Sequence, residues 1–436
     1  MEQKEALELM QLGRNIYLTG QAGAGKTFVL NSYIKWLRSK HIPHAITAST
    51  GIAATHLDGV TLDSWSGLGL RDTLTDGEIR ELGHKFHLKQ RISQARVLII
   101  DEVSMIKSTR FDAVNRIIRF LKSSDLPFGG MQVILSGDFF QLPPVSQDHG
   151  QADFIFKSQS WSTLNLAICY LSGSRRHHDP ELINILNAIR HNQVNETVRQ
   201  QLSSRMHVAS LRITPTRLYT HNVDVDAINA NELAKINAES RMYAMTTIGP
   251  ETVTAAMKRS CLAPEQLQLK KGALVMFVRN NYEKGYVNGT LGTIIGFSGE
   301  YPLVKTATGA RITAEPASWT ILDGEKIVAQ ITQIPLRLAW AITVHKSQGM
   351  TLDAAEIDLS KSFVEGMGYV ALSRVKSISG LKLLGFNEMA LRVSPEIQTV
   401  DTQLFNQSQQ EAVNLERLSF WKRWSGKRAF MYKLTS

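Results

Sequence analysis

Short apolar runs alternate with helix-period segments over the first 165 residues. Asn15-Ile16-Tyr17-Leu18, Ala45-Ile46-Thr47, Val97-Leu98-Ile99-Ile100 and Gln132-Val133-Ile134-Leu135 have strand length and composition, and Phe28 to Leu37 has helical spacing. That order predicts βαβ units and a mostly parallel sheet. Each run is followed at once by polar or glycine-bearing residues. Ligands of an open α/β sheet sit at the carboxyl ends of its strands, so these loops are expected to converge on one site.

From about 166 to 215 the pattern turns helical, with Pro180 at a helix start and Ile183, Leu186 and Ile189 on one face. A second α/β unit is expected to begin here. Between about 225 and 335 the chain reads as glycine-punctuated strands, ALVMFVRN, GTLGTIIGF and YPLVKTATG, which suit a small antiparallel sheet or barrel. Ile334 to Val344 reads as one strand that resumes the α/β pattern. The expected architecture is α/β. A first domain spans 1–165 with a small insertion at about 67–95, a second spans 166–225 and 336–436, and a β-rich insert spans 226–335.

At 436 residues the chain exceeds what one core usually serves, and 43% apolar content is enough to fill two or more. Lys plus Arg outnumber Asp plus Glu by 49 to 39, a net charge of +10, which favours a polyanionic partner or simply a soluble basic surface. The two cysteines, Cys169 and Cys261, sit among apolar residues away from any His/Cys cluster. Reduced thiols, no zinc site and an intracellular location (cytoplasm with its nucleoid, an organelle or the nucleus) are therefore expected. The first residues lack a signal-peptide pattern, and no apolar run reaches the roughly 18 residues a membrane span needs, so no membrane role is expected.

Gly20-Gln21-Ala22-Gly23-Ala24-Gly25-Lys26-Thr27 lies between a strand and a helix and satisfies the phosphate-loop pattern. The glycines let backbone N–H groups turn inward around phosphates, and the helix amino end adds positive potential. Lys26 would neutralise the phosphates of ATP, and Thr27 would hold Mg2+ through its hydroxyl. Asp101 and Glu102 stand at the tip of a buried strand. There Asp101 would hold the magnesium and Glu102 would orient and deprotonate the attacking water. These two elements indicate a nucleoside triphosphatase.

Three further stretches stay open on residue chemistry alone. Gln141, in Ser136-Gly137-Asp138-Phe139-Phe140-Gln141-Leu142-Pro143-Pro144, is either a turn residue or a sensor of the γ phosphate. HKSQGMTL, residues 345–352, is either an ordinary turn or part of a site. WKRWSGKR, residues 421–428, is either a solvated helix face or a nucleic-acid contact, in which aromatics stack on bases and cations hold phosphates.

Taken together, the motifs resemble the Pif-type (petite integration frequency) DNA helicases of superfamily 1B, with the RecD-like helicases as nearest neighbours. The likeness runs from Gln3 to about Phe386 through TGQAGAGKT, ITASTGIAATHLDGVTLDSWSGLG, VLIIDEVSM, PFGGMQVILSGDFFQLPPV, SRRHHDPELINILNAIR, QIPLRLAWAITVHKSQGMTLD and YVALSRVKSISGLKLLGF. FDAVNRIIRFLKSSDLPFGGMQ, residues 111–132, looks like the segment that sets the Pif type apart.

The resemblance implies two RecA-like domains that open and close on ATP, a small wedge insertion in the first and an SH3-like insertion in the second. It implies that Gln3 reads adenine and that Arg176 and Arg374 are arginine fingers. It also places Gly20, Gly23, Ala24, Gly25, Phe28, Gln348 and Gly349 near the nucleotide. Thr47, Ser49, Thr50, Gly51, Thr61, Ser64, Trp65, Asn222, Asn288, Thr343, His345 and Lys346 are placed near DNA, so that HKSQG couples ATP state to DNA grip.

Two positions depart from the family pattern: Asp63 stands where histidine is usual, and His177 follows the finger arginine where glutamine is usual. The expected activity is ATP-dependent, 5′ to 3′ translocation on single-stranded DNA with unwinding of duplex or forked DNA, G-quadruplexes and RNA–DNA hybrids being left open as further substrates, by a protein monomeric in solution and either monomeric or oligomeric on DNA. The rival expectation is a strand translocase or clamp that does not unwind.

Overall fold

The computed structural model describes the chain apart from residues 56, 70, 145–151, 173–178, 212–213, 220–224, 282, 324–325, 345, 348 and 436, and apart from the side chains of 55, 260, 322, 323, 326 and 435. Two compact units emerge: Met1–Arg175 together with Glu396–Ser436, and Arg176–Pro395.

In the first unit, β1 (Ile16–Gly20), β2 (His44–Ala48), β3 (Val60–Thr61), β4 (Val97–Asp101), β5 (Gln132–Ser136) and β6 (Ala167–Leu171) form one sheet in the order β3-β2-β4-β5-β1-β6. All pairings are parallel, with Ile16 opposite both Ile134 and Ala167, and Val97 opposite His44 and Gln132. β1, β4 and β5 are buried at every position, as continuous apolar runs in a covered parallel sheet require. The four expected strands are present, each within a residue or two of its expected bounds. β6 was not expected: its short AICYL run lies in a stretch read as helical, and it extends the first sheet beyond the boundary drawn at 165.

Residues 396–436, expected in the second domain, pack instead on the first unit. The reason is apolar burial completed by charge. Leu415, Phe430 and Leu434 join Ala6, Leu9 and Met10 in one core, while Glu8 pairs with Arg423 at 3.1 Å and Lys427 at 3.0 Å.

The second unit has a four-stranded parallel sheet in the order Ala341–Thr343, Thr216–Tyr219, Ala355–Leu359, Leu381–Phe386. The helix Pro180–Arg190 starts as expected, with Asp179 as its cap and Pro180 in its first turn. A five-stranded antiparallel sheet contains Leu274–Phe277, Leu291–Ser298, Tyr301–Thr306, Arg311–Thr313 and Leu336–Leu338.

The run Ile334 to Val344 is therefore not one strand. Its first part pairs with Leu274–Phe277 and its last part with Thr216–Tyr219. The change of partner falls at two consecutive residues: Ala339 N–H donates to the Leu274 carbonyl, and Arg217 N–H donates to the Trp340 carbonyl.

Candidate active site

The tips of β1, β2, β4 and β5 meet at the carboxyl edge of the first sheet. After β1, Gly20, Gly23 and Gly25 all have positive φ, a conformation side chains resist, and the helix Lys26–Ser39 follows directly. The Lys26 ammonium donates to the carbonyls of Gly20 (2.8 Å) and Gln21 (3.2 Å). Thr27 and Phe28 are exposed at the helix start, and Ala24 is buried. Gln3 donates from Nε2 to the Ala24 carbonyl at 3.0 Å, and a Cβ on Gly25 would collide with that same amide. The helix Gln3–Gln11 is thus fastened to the phosphate loop through one side chain.

At the tip of β4, Asp101 is 8% exposed. Burial pushes its carboxyl above the usual carboxylate range, while the Ser136 hydroxyl, the Glu102 N–H and the charge of Lys26 pull the other way. Glu102 has φ 52° and ψ 46°, a left-handed conformation that costs a non-glycine residue on the order of 1 kcal/mol. Its N–H donates to Asp101 Oδ1 at 2.9 Å.

Gln141 is held from below by Asp138, which is fully buried. Its N–H donates to the Asp138 carbonyl at 2.9 Å, its side-chain Nε2 lies 3.5 Å from Asp138 Oδ2, and Phe140 N–H reaches Asp138 Oδ1 at 3.2 Å. Asp138 thus holds Gln141 and Phe140 in place, a part that sequence reasoning did not assign to it; its signal was its place two residues after a buried strand.

Ser49, at the tip of β2, donates its N–H to the Asp101 carbonyl at 3.1 Å, so this motif is bonded directly to the acid-bearing strand. Thr47 is fully buried and spends its hydroxyl on the Ile99 carbonyl at 2.8 Å. The Ser49 hydroxyl is buried without a partner among the described residues, and the Thr50 hydroxyl accepts from Ala53 N–H at the start of the helix Gly51–Thr55. Thr61 caps the helix Leu62–Ser66, Ser64 is exposed, and Trp65 is 7% exposed, which places its indole in the interior rather than on a stacking surface.

The segment between these residues and β4 carries the helices Asp76–Gly83 and Phe86–Gln94. Cations of the helix Ser108–Leu121 and its end hold it from three points. Arg110 donates to the carbonyls of Gly69 and Arg71 and pairs with Asp63 and Asp72. Arg116 holds the Leu74 carbonyl and Asp76. Lys122, whose pKa burial lowers, donates to the carbonyls of Ile92, Ser93 and Ala95. The negative charge of Asp63 is therefore matched by Arg110, a partner 47 positions away that no local pattern announces.

In the second unit, Arg374 is 1% exposed and donates to the carbonyls of Val370 (2.9 Å) and Ser347 (3.5 Å) and to Ser373 Oγ (3.1 Å). The Leu352 N–H donates to its carbonyl at 2.7 Å. YVALSR and HKSQGMTL are thereby joined. Gly349 is exposed with φ +76°, Lys346 is partly exposed 3.9 Å from Asp226, and the Thr343 hydroxyl accepts from Lys346 N–H.

Asn288 is buried, and the Thr351 N–H reaches its carbonyl at 3.4 Å. Gly289 has φ +92° and lies so close that a Cβ would stand 2.6 Å from the Thr351 carbonyl oxygen. Asp353, another residue sequence reasoning passed over, pairs with Lys376 at 2.5 Å and accepts from Leu291 N–H. Arg176, His177, Asn222, His345 and Gln348 lie outside the described residues.

Comparison with known proteins supplies the family. A PIF1-like helicase model matches residues 1–200, and a model of the 2B domain of DNA helicase Pif1 matches residues 254–297. The chain is 41% identical to the ATP-dependent DNA helicase Pif1 of Psychrobacter sp. (strain PRwf-1), over 96% of this chain and 73% of that one. It is similar to the crystal structure of Bacteroides sp. Pif1 in complex with ADP-AlF4, with TM-score 0.79, 32% identity and coverage of 93% and 96% of the two chains. A structure of Bacteroides Pif1 helicase with ADP-AlF3 and ssDNA matches at TM-score 0.63 and 33% identity, covering 94% and 97%.

Proposed function

The chain belongs to the PIF1-like helicase family, with two RecA-like domains, and on that footing we propose that it is an ATP-dependent DNA helicase that translocates 5′ to 3′ on single-stranded DNA and separates the duplex ahead. The observation that carries this reading is the hydrogen bond from Ser49 N–H to the Asp101 carbonyl. One bond joins the loop expected at DNA to the strand expected at the nucleotide.

In this reading ATP draws the Lys26 ammonium from the carbonyls of Gly20 and Gln21 onto its phosphates. Glu102 takes a proton from water as the water oxygen attacks the γ phosphorus, and the bond to the ADP oxygen breaks. Gln141, steadied by Asp138, orients that water, and Arg176 and Arg374 supply positive charge to the transition state.

Magnesium fits the donor set. Thr27 offers an exposed hydroxyl, and Asp101 offers a carboxylate whose desolvated charge a cation would offset. Bound there, it would neutralise charge on the transferring phosphate.

The test is strand separation with ATP and magnesium on two substrates that differ only in a 5′ or a 3′ single-stranded tail. Unwinding of the 5′-tailed duplex alone is expected. Unwinding of the other would overturn the polarity, and DNA-stimulated hydrolysis with no unwinding would leave a translocase.

A further inference from the structure

The helix Phe420–Thr435 uses its sides for different purposes. Arg423, Gly426, Phe430 and Leu434, at helical spacing, face the first unit: Arg423 pairs with Glu8, Gly426 abuts Leu12, Phe430 lies over Gly13, and Leu434 enters the core. A second row at the same spacing, Trp421, Trp424, Arg428 and Tyr432, faces solvent. Trp421 is 72% exposed, Trp424 48% and Tyr432 76%, with Phe420 beside them at 73%. The two indoles meet edge to face at 6.2 Å, and the Arg428 guanidinium lies 5.3 Å from the centre of the Trp424 ring. The helix carries five Lys or Arg and no Asp or Glu.

A row of aromatics on a helix ordinarily marks its core-facing side. Here that side is already occupied by other residues, so the outward row is not explained by packing. Its occupant must be anionic, because Lys422 and Arg428 stand on the exposed side and the helix has no Asp or Glu to offset them, and must present flat faces to the indoles. Single-stranded nucleic acid offers both, whereas a duplex keeps its base faces stacked. A lipid surface also attracts aromatic and basic helices but takes up an unbroken apolar face. Arg428 interrupts this row between Trp424 and Tyr432.

We propose that Trp421, Trp424, Arg428 and Tyr432 form an accessory single-strand DNA contact, apart from the motor motifs, in which the rings stack on bases and Arg428 with the exposed Lys422 holds phosphates. The inference rests on the DNA-motor reading above.

The test uses the full chain. A long oligonucleotide carrying 5-iododeoxyuridine is irradiated on the protein and the attached peptides are mapped. Binding of a long oligothymidylate is then compared between the unchanged protein and Trp421→Ala/Trp424→Ala, alongside ATP hydrolysis stimulated by a short oligothymidylate. Expected are attachment within residues 420–432, about tenfold weaker binding of the long strand by the variant, and unchanged stimulated kcat. Arg428→Gln should flatten the dependence of log affinity on log salt by about 0.7.

Attachment only elsewhere, with unchanged affinity in the double variant, would overturn the proposal. So would unchanged DNA affinity with loss of binding to vesicles of mixed anionic and neutral phospholipid, which would assign the face to a membrane. Failure of the unchanged protein to bind DNA or respond to it would refute the motor reading instead.

Discussion

Arg110 and Asp63 face each other at 2.7 Å, and the same guanidinium holds Asp72 at 2.8 Å and the carbonyls of Gly69 and Arg71. A carboxylate standing where the family pattern has histidine is thus one anchor of the segment between Leu62–Ser66 and β4. Its charge is spent inside the protein.

Arg110→Ala removes the shared partner of two carboxylates and two carbonyls. Hydrogen bonds to charged groups are each worth roughly 1.5–3 kcal/mol where buried, and partial exposure puts the whole loss nearer 2 kcal/mol. Chemical denaturation should show that loss, and hydrogen exchange should quicken over residues 67–95. Unwinding should fall more than DNA-stimulated ATP hydrolysis. Equal loss of both would mean that the segment does not act at the strand junction.

Lys26→Ala should abolish ATP turnover while single-strand DNA binding persists, because the ammonium is held at the phosphate loop by the carbonyls of Gly20 and Gln21. Steady-state hydrolysis and fluorescence anisotropy on one preparation decide it. Retained hydrolysis would contradict the phosphate-loop assignment.

Arg374→Ala should keep nucleotide affinity within a few fold and lose most of kcat. It should also lower the melting temperature, since the side chain is fully buried and its three acceptors would lose a donor. A fluorescent ADP analogue separates binding from turnover. Collapsed binding with kcat spared would refute the finger role.

Asp101→Asn should abolish hydrolysis yet raise the melting temperature in metal-free buffer at neutral pH. The sign follows from proton binding. Burial holds the folded-state pKa above the unfolded value, so the folded protein binds this proton more tightly and is destabilised, through this group, as pH rises through that pKa. The stability gap between variant and parent should therefore narrow on acidification. A gap independent of pH would mean that Asp101 is not the desolvated charge.

The first sheet was legible because buried parallel strands are short apolar runs with polar tips, and the phosphate loop because its glycines need positive φ. Local pattern could not reveal relationships between distant residues. Ile334 to Val344 is uniformly apolar, and nothing in it marks where pairing passes from Leu274–Phe277 to Thr216–Tyr219. The helix Phe420–Thr435 shows apolar residues on two sides, so its sequence does not say which side is covered or by what. Thr47 and Trp65 have the chemistry of DNA contacts, and only tertiary structure reveals that both are buried.

That Leu415, Phe430 and Leu434 share a core with Ala6, Leu9 and Met10 fixes an order of events in synthesis. Residues 176–395 are contiguous and can close on themselves while the ribosome is still working. The unit that bears the phosphate loop is split in sequence, with Met1–Arg175 made before these residues and Glu396–Ser436 after them. Until the helix Phe420–Thr435 emerges, the core under Gln3–Gln11 has Leu30, Tyr33 and Cys169 but lacks Phe430 and Leu434, and the helix that carries Gln3 to the phosphate loop is only partly covered. A chain interrupted between Phe386 and Phe430 would carry every motor motif and lack part of the core beneath the first of them.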